Sequence, residues 1–479
     1  MSHSSTHWGH QNAFDHWAPR AHEGVVAYDR RGMLKASLAG MAGLSVPNLL
    51  RAQEVQAARS SGKSVILLWM AGGPSQIDTW DPKPDRPVEN RGPFSVIPTK
   101  LPGVMFCEHL PKQAAMLDKM TIIRSVDCRK SNHEPNKVMQ TGNLDAAPRV
   151  NPAGDTFPSY GSVIAKHHGP NQAGLPAYAT FMKSKTHVAF AGSLGREYDP
   201  FIADSAAKLP IYTNVGVDTG KLTDADLFKT PLGVTPERIE SRRSLLQSLD
   251  RMASRVEPAM DAMDKYQQKA VEMLLGSRAR SAFDISAEPE SVRERYGKHL
   301  WCQQALLARR MVEAGVAFVT LDLSYHGASG TWDNHGDNIP PYGGISKGLK
   351  PLLPLFDHLL TTLVSDLEER GLLDKVLIVA MGEFGRTPQI GTQGSTDGRN
   401  HWPYVMSMTM AGGGLRHGQV IGSTEKDGGQ IADRPVSPGD LAATIYKFMG
   451  VPLDTMYNDI NGRPFGIVRD GKPIHELFG

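Results

Sequence analysis

Ser64-Val-Ile-Leu-Leu-Trp-Met70, running directly into Ala71-Gly-Gly-Pro74, decides the fold class. After Ser64 the run is apolar without polar alternation, so both faces of the segment are suited to burial. A Gly-rich turn at the carboxyl end of such a strand is how parallel α/β sheets commonly begin. Gly72-Gly73-Pro74 either allows close backbone approach or forms a plain turn. Working outward, further strands are predicted at 120–124, 316–323, 375–381 and 404–410. Helices are predicted at 109–119, 160–168, 299–314, 351–370 and 437–449. Residues 236–280 are rich in Arg, Glu, Gln, Leu, Met and Ala, which suits an inserted helical hairpin or cap. Strands alternating with helices predict an α/β fold, one large mixed, mostly parallel sheet sandwiched by helices. With no internal repeat and no linker after residue 60, residues 58–479 are expected to form a single domain behind a leader of residues 1–57.

Composition removes several classes of function. The 479 residues are 40% apolar and 21% charged, a globular balance that excludes a disordered chain, a coiled coil and a multi-span membrane protein. Lys plus Arg number 52 and Asp plus Glu 50, and no long charged block occurs, so nothing points to nucleic acid or a membrane surface. Cys107, Cys128 and Cys302 form neither a disulfide framework nor a CxxC pair; free buried thiols are expected over a Cys107–Cys128 bridge.

The leader reads as an export signal. Asp29-Arg-Arg-Gly-Met-Leu-Lys35 precedes a weakly apolar Ala/Gly/Leu stretch from Ala36 to Leu50, with small residues at Ala52, Ala57 and Ala58. This resembles a twin-arginine signal, with cleavage expected near Ala57 and a periplasmic or extracellular destination. The stretch falls short of the about 20 apolar residues a stable span needs. Five of the seventeen histidines (His3, His7, His10, His16, His22) precede Arg30, in a segment expected to be solvated and discarded.

In open α/β sheets ligands bind outside the carboxyl ends of the strands. The ionisable residues that follow predicted strands are Asp78 and Asp81, then Asp127, His133 and Glu134, then Asp322, His326, Asp333, His335 and Asp337, then Glu383 and Arg386, and finally Asp397, Arg399 and His401. Carboxylates mixed with imidazoles suit Zn, Mn or Fe, and carboxylate-rich sites also take Mg or Ca. Such ions clamp the attacking and leaving oxygens of phosphoryl or sulfuryl transfer. Arg386 either pairs with Glu383 or binds an anionic substrate in bidentate fashion.

Seven collinear motifs carry a family resemblance: AGGPSQIDTWDPKP (71–84), GPF with LPGV, IIRSV followed by NH, WDNHGDN (332–338), GLLDKVLIVAMGEFGRTP (371–388), GRNHWPYVMSMTMAGGG (398–414) and RPVSPGDLAATIYKFMG (434–450). From about residue 30 to the C-terminus the chain resembles domain-of-unknown-function family 1501, exported bacterial proteins similar in fold to the alkaline phosphatase and sulfatase superfamily. The resemblance implies an alkaline-phosphatase-like sheet with a divalent metal (Zn, Mn, Mg or Ca) at the strand ends. It implies Asp78, Asp333, His335, Glu383 and His401 as metal ligands, with Arg386 and His133 as catalytic residues. Asp322 and His326 are the alternative to Asp333 and His335. The sequence also departs from the superfamily. Its first strand ends in Ala71-Gly-Gly-Pro rather than a metal-binding Asp, and the late Asp-His pair is replaced by Glu383-Phe384. The sulfatase Cys-x-Pro/Ala-x-Arg motif is missing, and Ser131 and Thr141 are the only hydroxyls suggested as nucleophile. The expected function is an exported metal-dependent hydrolase of phosphate or sulfate esters, acting on a small anionic ester or a sulfated or phosphorylated glycan. The alternative is a catalytically silent exported protein that binds an anionic glycan or a protein partner.

Overall fold

The computed structural model describes residues 62–131, 137–147, 156–203, 277–325, 330–336, 343–459 and 461–479, together with the backbone of two short N-terminal strands. Those two, Arg20–His22 and Val25–Ala27, pair antiparallel within a compact unit spanning Met1–Ala57. The arginine pair, the apolar stretch after it and residues 236–276 of the insertion expected at 236–280 lie outside the described residues. The second unit, Ala58–Gly479, is built on one eight-stranded sheet.

The strands of that sheet are β1 (Ser64–Trp69), β2 (Met120–Val126), β3 (Tyr178–Phe181), β4 (Phe201–Ile202), β5 (Phe318–Asp322), β6 (Val376–Met381), β7 (Met406–Gly412) and β8 (Gln419–Ile421). Their spatial order is β8-β2-β7-β6-β1-β5-β3-β4. Only β7 runs against its neighbours β6 and β2; every other adjacent pair is parallel. The mixed, mostly parallel α/β sheet expected from the sequence is therefore the fold. Register brings Trp69 beside Met381 on one side and Asp322 on the other, so β1, β5 and β6 end level with one another.

The unalternating pattern of β1 has a simple cause. Ile66 and Leu68 enter one apolar core, and Val65, Leu67 and Trp69 enter the other, all five within 2% of complete burial. Each such side chain contributes about 1.5–3 kcal/mol when taken fully out of water. Helices α2 (Leu300–Ala314) and α3 (Lys350–Glu369) cover the first face, and α1 (Tyr160–His167) and α4 (Pro438–Met449) cover the second. A capping box starts α4: the Ser437 hydroxyl accepts from the Asp440 N–H while the Asp440 carboxylate accepts from the Ser437 N–H.

Two expectations change in detail. The helix predicted at 109–119 is a short helix, Pro111–Ala115, and a separate 3-10 turn, Leu117–Lys119. Met116, at ψ 10°, breaks it, and the first N–H groups of the helix are met from outside, by Asp357 of α3 at 2.9 and 2.8 Å. Strands β3, β4 and β8 escape sequence reading because they are two to four residues long. All three cysteines are buried and free. No helix among the described residues is long and apolar enough to cross a membrane.

Candidate metal centre at the strand ends

Three strand ends are tied together by backbone before any side chain acts. The Met70 N–H donates to Met381 O at 2.9 Å, and the Leu323 N–H donates to Trp69 O at 2.8 Å. The loop after β5 then folds back over the turn after β1, where the Trp332 N–H donates to Ala71 O at 2.9 Å. Gly72 is obligatory in this contact. Its φ is +113°, and a Cβ there would lie 2.2 Å from the Asp333 backbone nitrogen. Of the two readings of Gly72-Gly73, close backbone approach is the one realised.

That approach presents Asp333 and His335. A second short ribbon presents His401: Gly385–Arg386, just after β6, pairs antiparallel with His401–Trp402, with Arg386 opposite His401. One donor atom each from Asp333, His335 and His401 lie within 4.8 Å of one another, the one such group of three among the described residues. His335 Nε2 is 2.9 Å and His401 Nε2 3.2 Å from the same oxygen, Asp333 Oδ1. The imidazole centroids are 4.5 Å apart, and Phe384 lies against His401 at 4.7 Å. Asp333 is fully buried, whereas the side chains of His335 and His401 are 11% and 35% exposed. The group thus has a dry carboxylate floor and a mouth open through its imidazoles. One carboxylate oxygen and two imidazole nitrogens are a donor set for zinc or a similar transition ion, and three protein donors leave a position for substrate.

Arg386 is turned inward. Its Nη2 donates to Asp333 Oδ1 at 2.5 Å and to the carbonyls of Gly72 and Trp332; its Nε donates to Gly73 O at 3.0 Å and its Nη1 to Arg399 O at 3.2 Å. It is fully buried, so the structure offers it as the clamp that joins three loops, not as a group reaching substrate. Its acidic partner is Asp333 rather than Glu383. Glu383, also fully buried, accepts the Gly72 N–H at 2.8 Å and so holds the turn after β1.

The structure places the other candidates apart from the three. Asp78 pairs in the interior with Arg399, Nε to Oδ2 at 2.7 Å, and accepts the Ser75 hydroxyl at 2.5 Å. Both groups are dry, and the Arg399 guanidinium also binds the carbonyls of Thr387, Pro388 and Asn90, so this pair locks loops together. Asp81 faces Lys83 and Arg124, Asp127 faces Arg129, and Asp397 accepts from Ser346. Thr141 serves its local turn, accepting the Asn143 N–H. Ser131 is buried near the end of β2, and its hydroxyl has no hydrogen-bond partner among the described residues. His133, Glu134, His326 and Asp337 lie outside the described residues. A pair that sequence reading missed sits at the end of β5. Asp322 Oδ2 meets His187 Nδ1 at 2.8 Å in complete burial, and accepts the Lys183 N–H at 2.8 Å. Nothing around His187 in the sequence marks it, because the strand it follows, β3, is too short to be read and its partner lies 135 residues away.

Burial governs the titration of the nearby thiol. It holds Cys128 well above the usual thiol range, with the negative charges of Asp127 and Glu383 adding to the rise. Cys128 is therefore a packed thiol rather than a nucleophile.

The profile of the family described as Protein of unknown function (DUF1501) matches residues 62–478. No curated protein matches the sequence. Among solved structures, the chain is similar to a sulfatase from Pseudoalteromonas sp., with 12% identity, 84% of this chain and 71% of that one covered, and a TM-score of 0.37. It is similar also to a phosphonate monoester hydrolase of Agrobacterium radiobacter (13%, 87% and 77%, TM-score 0.35). A third is the C-terminal periplasmic domain of an Escherichia coli protein, EcEptC, in complex with Zn (12%, 81% and 82%, TM-score 0.32). At these identities and scores the three likenesses bear on neither the site nor its chemistry. The chain belongs to the DUF1501 family.

Proposed function

We propose that this member of the DUF1501 family is an exported, metal-dependent hydrolase of phosphate or sulfate esters, and that Asp333, His335 and His401 hold its metal. The observation that carries this reading is the convergence of those three donors at the carboxyl edge of β1, β5 and β6. A divalent ion held there supplies Lewis acidity toward an anionic ester oxygen. The chain's own residues do the rest. Arg386 holds and aims the buried Asp333 carboxylate through a guanidinium contact at 2.5 Å. Glu383 fixes the turn after β1 through Gly72, and Gly72 lets the Asp333 loop settle against that turn. Phe384 packs on His401 and holds its ring orientation. Asp78 and Glu383, expected as ligands from the resemblance, are given positioning roles here, as is Arg386. The leader is proposed to direct the protein through the twin-arginine machinery to the periplasm or beyond.

The experiment is a screen of aryl phosphate and aryl sulfate esters with the mature protein, before and after chelation, beside Asp333→Asn. Turnover of either ester that chelation abolishes, zinc or manganese restores and Asp333→Asn lacks is expected. Turnover that survives chelation contradicts the metal role.

A second reading has one observation behind it. Asp333 Oδ1 already meets Arg386 and both imidazoles, so the three donors are joined to one another without an ion. On that reading the fold is kept for recognising an anionic glycan or a protein partner, and no ester in the screen turns over.

A further inference from the structure

A second concave surface opens at the same edge of the sheet. It is a cleft of about 320 Å³ beside the end of β2, lined by Asp127, Arg129, Tyr404, Gln430, Asp433 and Pro435 among others. Strands β2 and β6 both run against β7, so Asp127 leaves the sheet on the side where Glu383 does. Tyr404 comes two residues before β7, whose first residue, Met406, pairs with Val126.

The cleft is built rather than incidental. The Asp127 N–H donates to Val436 O at 2.8 Å and the Val436 N–H to Ser125 O at 2.9 Å, which pins one wall to the end of β2. Lys130 beside one wall (φ +73°) and Arg434 within the other (φ +50°) are the two non-glycine residues at positive φ among the described residues. Each such backbone costs about 1–3 kcal/mol and persists where its surroundings over-determine it, typically at ligand clamps and active sites. Tyr404 is 42% exposed, while its ring lies 4.9 Å from Trp402, whose indole N–H donates to Gly429 O. An exposed aromatic face is thereby held in a fixed pose. Trp402 in turn follows His401, so the cleft and one of the three metal donors share one segment. His401 and Tyr404 are three residues apart, at most ~10 Å of extended chain.

Charge selects the occupant. Arg129 is held by Asp127, with Nε 2.9 Å from Oδ1, Arg434 is held by Glu476, and the charge of Asp433 is offset by that of Lys130 beside the wall, so the cleft has no excess of positive charge. Nothing there attracts a second anionic group. Carboxylates and an amide beside a fixed aromatic face suit a ring that is rich in hydroxyl donors and uncharged. We propose that the cleft is a subsite for a neutral sugar residue, one that flanks the ester-bearing unit of a glycan substrate. This rests on the ester-hydrolase reading for its purpose but not for its measurement.

The test is calorimetric titration of the full chain with neutral tetrasaccharides of glucose, galactose and mannose, and with a fully sulfated heparin tetrasaccharide. The variants are Tyr404→Ala, Asp433→Ala and His335→Ala. At least one neutral tetrasaccharide is expected to bind at millimolar concentration or below. Tyr404→Ala is expected to weaken that binding about ten-fold, the loss of one aromatic contact. Asp433→Ala weakens it as well, and His335→Ala, which disrupts the metal donors, leaves it unchanged. The proposal is overturned if no neutral probe binds, if binding ignores both cleft variants, or if the sulfated probe is preferred in a Tyr404-dependent way. Failure of the hydrolase reading shows separately, as loss of ester turnover with sugar binding intact.

Discussion

Replacing Arg386 by Met should cost the fold far more than an average substitution. The guanidinium is fully buried and meets the Asp333 carboxylate at 2.5 Å and four backbone carbonyls, those of Gly72, Gly73, Trp332 and Arg399. Removing one partner of a buried ion pair strands the other, a penalty of about 3–5 kcal/mol. Each carbonyl left dry and unmet adds about 1 kcal/mol or more. Against a total stability of about 5–15 kcal/mol this is a large fraction. Arg386→Lys keeps the charge but not the five-donor fork, so it should fall between wild type and Met. The assay is urea unfolding of chelated protein followed by tryptophan fluorescence, which keeps metal binding out of the balance. A cycle with Asp333→Asn completes it. Because Asn removes the stranded charge, the double variant should recover about 1–3 kcal/mol relative to the sum of the single losses. A loss below about 1 kcal/mol for Arg386→Met, or additive effects in the cycle, would refute the clamp.

Two further predictions follow from burial. Burial pushes the thiols of Cys107 and Cys302 up to about 12 and Cys128 well above its usual range, so a thiol reagent at pH 8 should label none of the three in native protein and all three in urea; fast native labelling of any one would contradict their packing. Burial also lowers the pKa of His417, despite its hydrogen bond to Gly412 O at 2.8 Å. The unfolded chain then takes up the proton first, so the contribution of His417 is full above its unfolded value of about 6.5 and is lost as pH falls below it. The stability of wild type relative to His417→Gln should therefore shrink between pH 8 and pH 5.5, and a constant or growing difference in urea midpoint would count against it.

The sheet was legible because its central strands are buried on both faces. Nothing but apolar residues suits Val65–Trp69 or Val376–Met381, and such runs are visible without an alignment. The edge strands β4 and β8 carry no such constraint and left no signal. The site was legible as a neighbourhood and not as a geometry. Asp333, His335 and His401 stand out as acids and imidazoles after strands, and they do converge. Asp78 and Glu383 stand out in the same way, yet one is neutralised by Arg399, 321 residues away, and the other binds the backbone of Gly72, 311 residues away. Whether a carboxylate faces a cation, an N–H group or an open mouth is set by contacts between distant segments, and strand-end position does not encode it. His187 shows the converse: a buried imidazole with a carboxylate partner, in a stretch that looks like ordinary loop.

The most direct measurement is the metal content of purified protein by elemental mass spectrometry, after reconstitution with Zn, Mn, Mg or Ca, beside the His335→Ala/His401→Ala variant. The account predicts about one equivalent of a transition ion, zinc first from the donor set, held by wild type and lost from a folded variant. Wild type that retains no ion from any of the four, or a variant that retains as much as wild type, would contradict the metal centre on which the account rests.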